Sequence, residues 1–214
     1  VLPIAVRLAR GERIALATPV LASIYRDFGQ IQAFARDKST KDLNLKSLFK
    51  LVQVWAWERF RDIRPEAREI SKGEPRIAQW SCLNQRDKNN EKKSLSFDDF
   101  DWRPYTKPLE NWNPPRFYLE EAMWMTVDDD LDDEFLSFAR CVRSSQLVGI
   151  GFVEGYYPNR VAMQFGFSQD LPGLVSDHSS FTEKEAWEDY NKSLDGLKLY
   201  VPSRLATTSV TARY

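Results

Sequence analysis

The 214-residue chain carries 30 Lys and Arg against 31 Asp and Glu, one His, two Cys and seven Trp. A chain of this length buries roughly 70% of its unfolded surface, so it needs neither disulfides nor a metal in order to fold. With 43% apolar and 29% charged residues it is neither disordered nor fibrous, and no apolar run reaches the ~20 residues that span a bilayer.

The chain begins at Val1 inside an apolar stretch, which reads as an excised or truncated start, and nothing there resembles a signal peptide. The first helix is expected from Pro19 to Phe28, with Thr18 as N-cap and Gly29 past its end. Its apolar stripe is Val20, Leu21, Ile24, Tyr25 and Phe28. A second helix is expected from Leu45 to Phe60 with Asn44 as cap. Leu48, Phe49, Val52, Trp55, Ala56 and Phe60 form its inward stripe, and Lys46, Lys50, Gln53 and Arg59 face water. On that pattern Trp55 is a core residue, and Trp57 lies off the stripe, free to pack on a second element.

Pro65 stops this run, and Pro75 precedes a short apolar segment, Ile77-Ala78-Gln79-Trp80. Residues 85–96 are polar and aperiodic and read as a surface loop, in which Lys92 and Lys93 can reach phosphate or a partner. From Phe97 to Trp112 rings and prolines are dense, and four prolines between 104 and 115 forbid a regular helix. The expectation is an extended segment anchored by its rings, with an aromatic peptide or nucleic-acid groove as the alternative.

The run Asp128 to Glu134 invites a metal-dependent reading, because two-metal sites gather carboxylates. Leu131, Phe135, Phe138, Ala139 and Val142 nonetheless keep helical spacing. That places the acids at a helix start and Arg140 and Arg143 at its end, where both complement the helix dipole. Gln146 to Val153 reads as one strand, and its Gly149-x-Gly151 lacks the third glycine and helix of a dinucleotide site. Pro158 to Gly166 reads as a short helix with Val161, Ala162 and Phe165 inward and Arg160 and Gln164 sharing the polar face.

His178 sits in a loop-like Ser-Asp-His-Ser-Ser stretch with no apolar frame for an imidazole. Cys82, Cys141 and His178 are three scattered ligands where a structural zinc takes four. Two cysteines in a charge-balanced chain fit a reducing cytosolic or nuclear compartment. Thr182 and Glu185 form a capping box for a helix bearing Ala186, Trp187, Tyr190 and Leu194, with Gly196 beyond it. Leu197 to Pro202 alternates as a short strand.

Charge is spread unevenly along this order. Residues 1–60 hold ten basic and five acidic side chains, 61–116 hold twelve and ten, and 117–214 hold eight and sixteen. The near-neutral total argues against nucleic-acid binding by bulk electrostatics, while the N-terminal excess allows a basic face.

Several blocks together resemble the plant mobile domain, the module shared by MAINTENANCE OF MERISTEMS-like proteins and plant retrotransposons. They include Ala15 to Asp27, Leu51 to Phe60, Gly73 to Ala78, Phe100 to Tyr105, Ser137 to Cys141, Pro158 to Gly166 and Leu199 to Leu205. The resemblance spans nearly the whole chain, 1–214. It implies a nuclear protein that helps silence transposable elements, supports genome stability and maintains meristem cells, alongside a serine/threonine phosphatase 7-type protein. The family is sometimes labelled aminotransferase-like, but no lysine stands in a pyridoxal-phosphate setting and no glycine-rich phosphate cradle is present. The family's domain usually starts further upstream, so a truncated N-terminal side is expected, and the 85–96 loop fits none of the blocks.

The expected fold is mainly α, a compact helical domain with two or three short β-strands. The expected role is non-enzymatic, with no catalytic residue, cofactor, metal or membrane. The candidate contacts to a protein partner or nucleic acid are Arg160, Gln164, Arg204, Lys92, Lys93 and Arg103. The competing readings are a metal-dependent, transposon-derived enzyme remnant using Asp128 to Glu134 and a direct DNA-binding module.

Overall fold

In the computed structural model, residues 2–12, 14, 16–37, 43–81, 98–114, 116–117, 119–128, 130–169, 182–190, 192–193 and 195–205 are described. In chain order the elements are α1 (Leu2–Ala9), α2 (Ala17–Arg36), α3 (Phe49–Arg59), β1 (Met123–Thr126), α4 (Asp133–Cys141), β2 (Ser145–Val148), β3 (Val153–Tyr156), α5 (Glu183–Tyr190) and β4 (Lys198–Val201). Short 3-10 turns cover Arg61–Ile63, Arg76–Trp80, Pro104–Thr106 and Pro158–Phe165. The strands form two antiparallel pairs, β1 with β4 and β2 with β3. The architecture is therefore mixed α and β, which corrects the expectation of a mainly helical domain. The missed strand is β1: Met123-Trp124-Met125-Thr126 is short and apolar on both sides, so it shows no period of two. Lys92, Lys93, Cys82, His178, the 85–96 loop and residues 206–214 lie outside the described residues.

Packing divides the chain into two units. The first comprises Val1–Leu48, Ser145–Tyr156 and Asp177–Lys192. Here α2 packs on the β2–β3 hairpin, and α5 packs on β2. The expected single strand from Gln146 to Val153 is in fact this hairpin. The Gly149 N–H donates to the Phe152 carbonyl at 2.9 Å, and Gly151 supplies a φ of 86° at the turn. A side chain is disfavoured at such a φ, so the glycine is needed there.

Helix α2 is twice the expected length and runs through Gly29. Thr18 makes no cap, since the helix starts at Ala17 with Leu16 as an N-cap lacking a side-chain bond. Its buried residues are Ala22, Ile24 and Asp27, while Tyr25 and Phe28 are exposed. Asp27 explains part of this mismatch, because its carboxylate does the work of a cap across the chain. It accepts from the backbone N–H of Lys46 (2.8 Å) and Ser47 (2.9 Å) and from Ser47 Oγ (2.6 Å). Burial by itself would raise the Asp27 carboxyl, but these donors and Arg26 hold it below the usual range. The Thr182–Glu185 capping box is present as expected. Glu185 accepts from the Thr182 N–H and Oγ1 (both 2.8 Å), and the Glu185 N–H donates back to Thr182 Oγ1 at 3.3 Å.

The second unit comprises Phe49–Ser144, Tyr157–Ser176 and Ser193–Tyr214. One of its cores is Val127, Phe135, Ala139, Leu199 and Val201, flanked by Phe117, Leu131 and Phe138. It forms because α4 lies against the inner face of β4, whose residues alternate exposed and buried as the sequence pattern predicts. Each buried apolar side chain of this kind contributes about 1.5–3 kcal/mol. The Pro158–Phe165 turn is bent at Val161 and ends at Gly166 with a φ of 86°. Its buried residues are Pro158 and Ala162, while Val161, expected inside, is exposed. The bend rotates Val161 out of the helical register.

A surface loop in this unit yields a pH prediction. Arg68 Nη2 (2.9 Å) and the Ser71 N–H (2.8 Å) both donate to the Glu74 carboxylate, lowering it from 4.5 to about 2. The folded value lies below the unfolded one, so this group's stabilising contribution is full above pH 4.5 and is lost as pH falls toward 2. An NMR titration of the Glu74 side chain is expected to show a midpoint near 2, and Arg68→Ala should return it toward 4.5.

Candidate functional site

The chemistry-bearing residues of the second unit fall into three places. The first is α3 and its surroundings. The helix is apolar nearly all round, and its buried residues are Val54, Trp57, Glu58 and Arg59. Trp57 is 1% exposed and packs on Trp80 at 5.6 Å, whereas Trp55 is 37% exposed. The stripe's assignment of Trp55 to the core is thus overturned, whereas Trp57, off the stripe, packs on a second element, the Arg76–Trp80 turn, and Arg59, expected in water, is buried.

The reason is a polar knot. Glu58 Oε1 accepts from Gln79 Nε2 (2.8 Å), Trp80 Nε1 (2.9 Å) and Arg76 Nε (3.2 Å). Its Oε2 accepts from Arg76 Nη2 (2.8 Å) and Nε (3.1 Å). A carboxylate buried at this depth is tolerated only when it is paired and hydrogen-bonded, and here it is saturated. Arg76 also lies over the Trp112 ring at 4.9 Å and the Tyr105 ring at 5.6 Å. Arg59 lies over Tyr105 at 5.3 Å and Trp55 at 4.8 Å, and its Nη2 donates to the Gln164 carbonyl at 2.8 Å. Rings and guanidinium groups thus alternate as Trp55, Arg59, Tyr105, Arg76, Trp112. The ring-dense segment around Tyr105 is anchored by its side chains without a regular helix, as its prolines require. Phe100 adds a second anchor, with ring contacts to Phe60 (5.0 Å) and Trp102 (4.5 Å).

The second place is the acidic run. Asp132 is the N-cap of α4: its Oδ1 accepts from the Glu134 N–H at 3.0 Å, and its Oδ2 pairs with Arg116. Asp133 and Glu134 occupy the first turn and Arg140 the last, the distribution that the helix dipole favours. Asp128 Oδ1 accepts from the Asp130 N–H at 3.2 Å and closes a turn. Asp133 and Glu134 also border an open cleft of about 550 Å³ with Trp112, Arg116, Phe117 and Ser137. Among the described residues no three of His, Cys, Asp and Glu lie close enough to share a metal ion.

The third place holds the remaining sequence candidates, which the described contacts do not gather on a shared partner. Arg160 is exposed, with its guanidinium over the Tyr157 ring at 4.6 Å. Gln164 acts through its carbonyl, which receives Arg59. Arg204 is tied to Glu120 (2.8 Å), and its N–H bonds the Leu119 carbonyl (2.9 Å). Arg103 closes a turn: its N–H donates to Asp101 Oδ1 (3.1 Å) and its carbonyl accepts from Thr106 Oγ1 (2.9 Å). Lys92 and Lys93 lie outside the described residues.

Sequence reasoning missed one surface feature. Trp124 on β1 and Tyr200 on β4 are cross-strand partners with ring centroids 5.2 Å apart. They are 66% and 49% exposed on the outer face of the β1–β4 pair. The alternation of Leu197 to Val201 does place Tyr200 outside, but only the tertiary pairing brings Trp124 beside it.

In comparisons with known proteins, the family model for the plant mobile domain matches residues 1–214. No curated protein and no solved structure matches the chain.

Proposed function

The chain belongs to the plant mobile domain family, a transposon-related domain, and from that premise we propose that it is a non-enzymatic interaction module of the nucleus. In this reading it acts in silencing transposable elements, in genome stability and in meristem maintenance, through a protein partner of the serine/threonine phosphatase 7 type. The observation that carries an interaction role is a contrast. Glu58, Arg76 and Asp132 are committed to intrachain bonds, whereas two large rings, Trp124 and Tyr200, stand open to solvent side by side. Large aromatic side chains of this kind are the usual anchors of protein interfaces.

Calorimetric titration of the purified chain with such a phosphatase tests this. Binding that weakens about tenfold in Trp124→Ala supports it, since a central anchor contributes on the order of 1.4 kcal/mol or more. Absence of binding overturns the partner assignment.

A second reading, direct DNA binding, draws on Arg160, which is exposed and forms no ion pair among the described residues. Affinity measured against salt decides it. A slope near zero, or no loss in Arg160→Ala and Arg204→Ala, removes that reading.

A further inference from the structure

We propose that the Trp124–Tyr200 pair is the docking platform for an extended, arginine-bearing basic peptide segment of a partner protein. The inference rests on reading the chain as an interaction module and adds the chemistry of what that module takes. Three observations lead to it.

The first is ring exposure. Trp124 and Tyr200 sit directly opposite each other in the antiparallel register, at 5.2 Å and an interplanar angle of 48°. Their inner-face neighbours Leu199 and Val201 are buried in the core, which fixes the strands beneath them. The platform is therefore rigid, and ordering it costs a partner little. Two tilted electron-rich faces attract a planar cation, and a guanidinium stacks on such faces better than an ammonium does.

The second is the charge around the rings. Glu121 leads into β1, Asp128 follows it, and Asp195 precedes β4. The Gly196 N–H bonds the Val127 carbonyl (2.9 Å), so Asp195 and Asp128 share one end of the ribbon while Glu121 lies toward the other. None of these three acids is in an ion pair among the described residues, and Glu120 and Arg204 neutralise each other at 2.8 Å. Among the described residues Lys198 is the cation on the outer face of the two strands, paired across them with Thr126. Asp128 and Asp195 accept from the Asp130 N–H (3.2 Å) and Ser193 Oγ (2.8 Å), neutral donors that leave their charge in place. Three net negative acids against one lysine therefore make the rim a complement for a basic ligand and an unfavourable one for a phosphate backbone.

The third is backbone geometry. Among the described residues the β1–β4 sheet has two strands, so each offers an outer edge to an extended segment. Main-chain pairing at such an edge can hold the segment while a side chain reaches the rings.

The test uses the whole chain and fluorescence anisotropy with three labelled probes: a short arginine–glycine peptide, a glutamate–glycine peptide of equal length and a short thymidine oligonucleotide. The arginine peptide is expected to bind, to weaken with salt, and to weaken about tenfold in both Trp124→Ala and Tyr200→Ala. Lys198→Glu should tighten it by removing the one opposing charge. Thermal unfolding should be nearly unchanged in the ring variants, because both rings are exposed, so a loss of binding cannot be ascribed to misfolding. Failure of the arginine peptide to bind, equal affinity in Trp124→Ala, or tighter binding of the oligonucleotide would each overturn the proposal. The phosphatase titration above can fail while this one succeeds, which would leave the platform assigned and its owner wrong.

Discussion

Replacing Glu58 by Ala is expected to lower the stability of the second unit by about 3–5 kcal/mol, the range for breaking a buried ion pair from one side. The side chain is 3% exposed and its partner Arg76 is 12% exposed, so neither charge is screened by bulk water. Deleting the carboxylate leaves the Arg76 guanidinium, the Gln79 amide and the Trp80 indole N–H without their acceptor. Each is then a buried donor that must find water in a packed interior. Glu58→Gln keeps the shape but removes the charge and places an amide donor against other donors, so it should also destabilise strongly. Differential scanning calorimetry is the measurement, and a fall in Tm of about 10 °C is the expected size for a chain of this length. A change below about 1 kcal/mol would mean that the knot is solvated and that this account of α3 is wrong.

Trp57→Ala carries the second large effect. Trp57 lies against Trp80 with Val54 beside it, and Lys50 Nζ sits over its ring at 4.3 Å. Removing a fully buried tryptophan leaves a cavity that its neighbours fill only in part, at a cost of about 3–5 kcal/mol. Trp55→Ala, two residues away, should cost clearly less, about 1–2 kcal/mol, because its ring is more than a third exposed and chiefly contributes stacking on Arg59 and Phe100. Denaturant unfolding of the two variants side by side checks the order. Equal effects, or a larger one at Trp55, would restore the amphipathic stripe that the sequence pattern suggests.

That pair of residues shows where pattern reading fails. A hydrophobic stripe is legible when one helix face is polar, as in α4, where Phe135 and Ala139 are buried at the predicted positions and acids and arginine mark the two ends. In α3 the apolar residues surround the axis, and the buried side includes Glu58 and Arg59, which any pattern assigns to solvent. Their partners Arg76, Gln79, Trp80, Tyr105 and the Gln164 carbonyl come from segments 18 to 105 positions away. Asp27 in α2 is the same case, since the N–H groups that donate to its Oδ2 lie 19 and 20 positions on. A charge satisfied over such distances looks like surface until the fold closes around it. Of the candidate contacts, Arg204 has an ion-pair partner, Glu120, that only packing supplies.

Short-range chemistry is what the linear order of residues settled. The capping box at Thr182, the acid-led start of α4, the left-handed stop at Gly166 and the alternation of β4 each depend on groups within a few positions of one another, so they are decided before the chain folds. The family is also legible at that level, because its blocks are contiguous runs. Tertiary packing decided the rest. It paired β1 with β4 to bring Trp124 to Tyr200, folded one expected strand into a hairpin, and buried Glu58 among its donors. The physical reason is that desolvation depends on everything surrounding a side chain, and for these residues the surroundings come from distant segments.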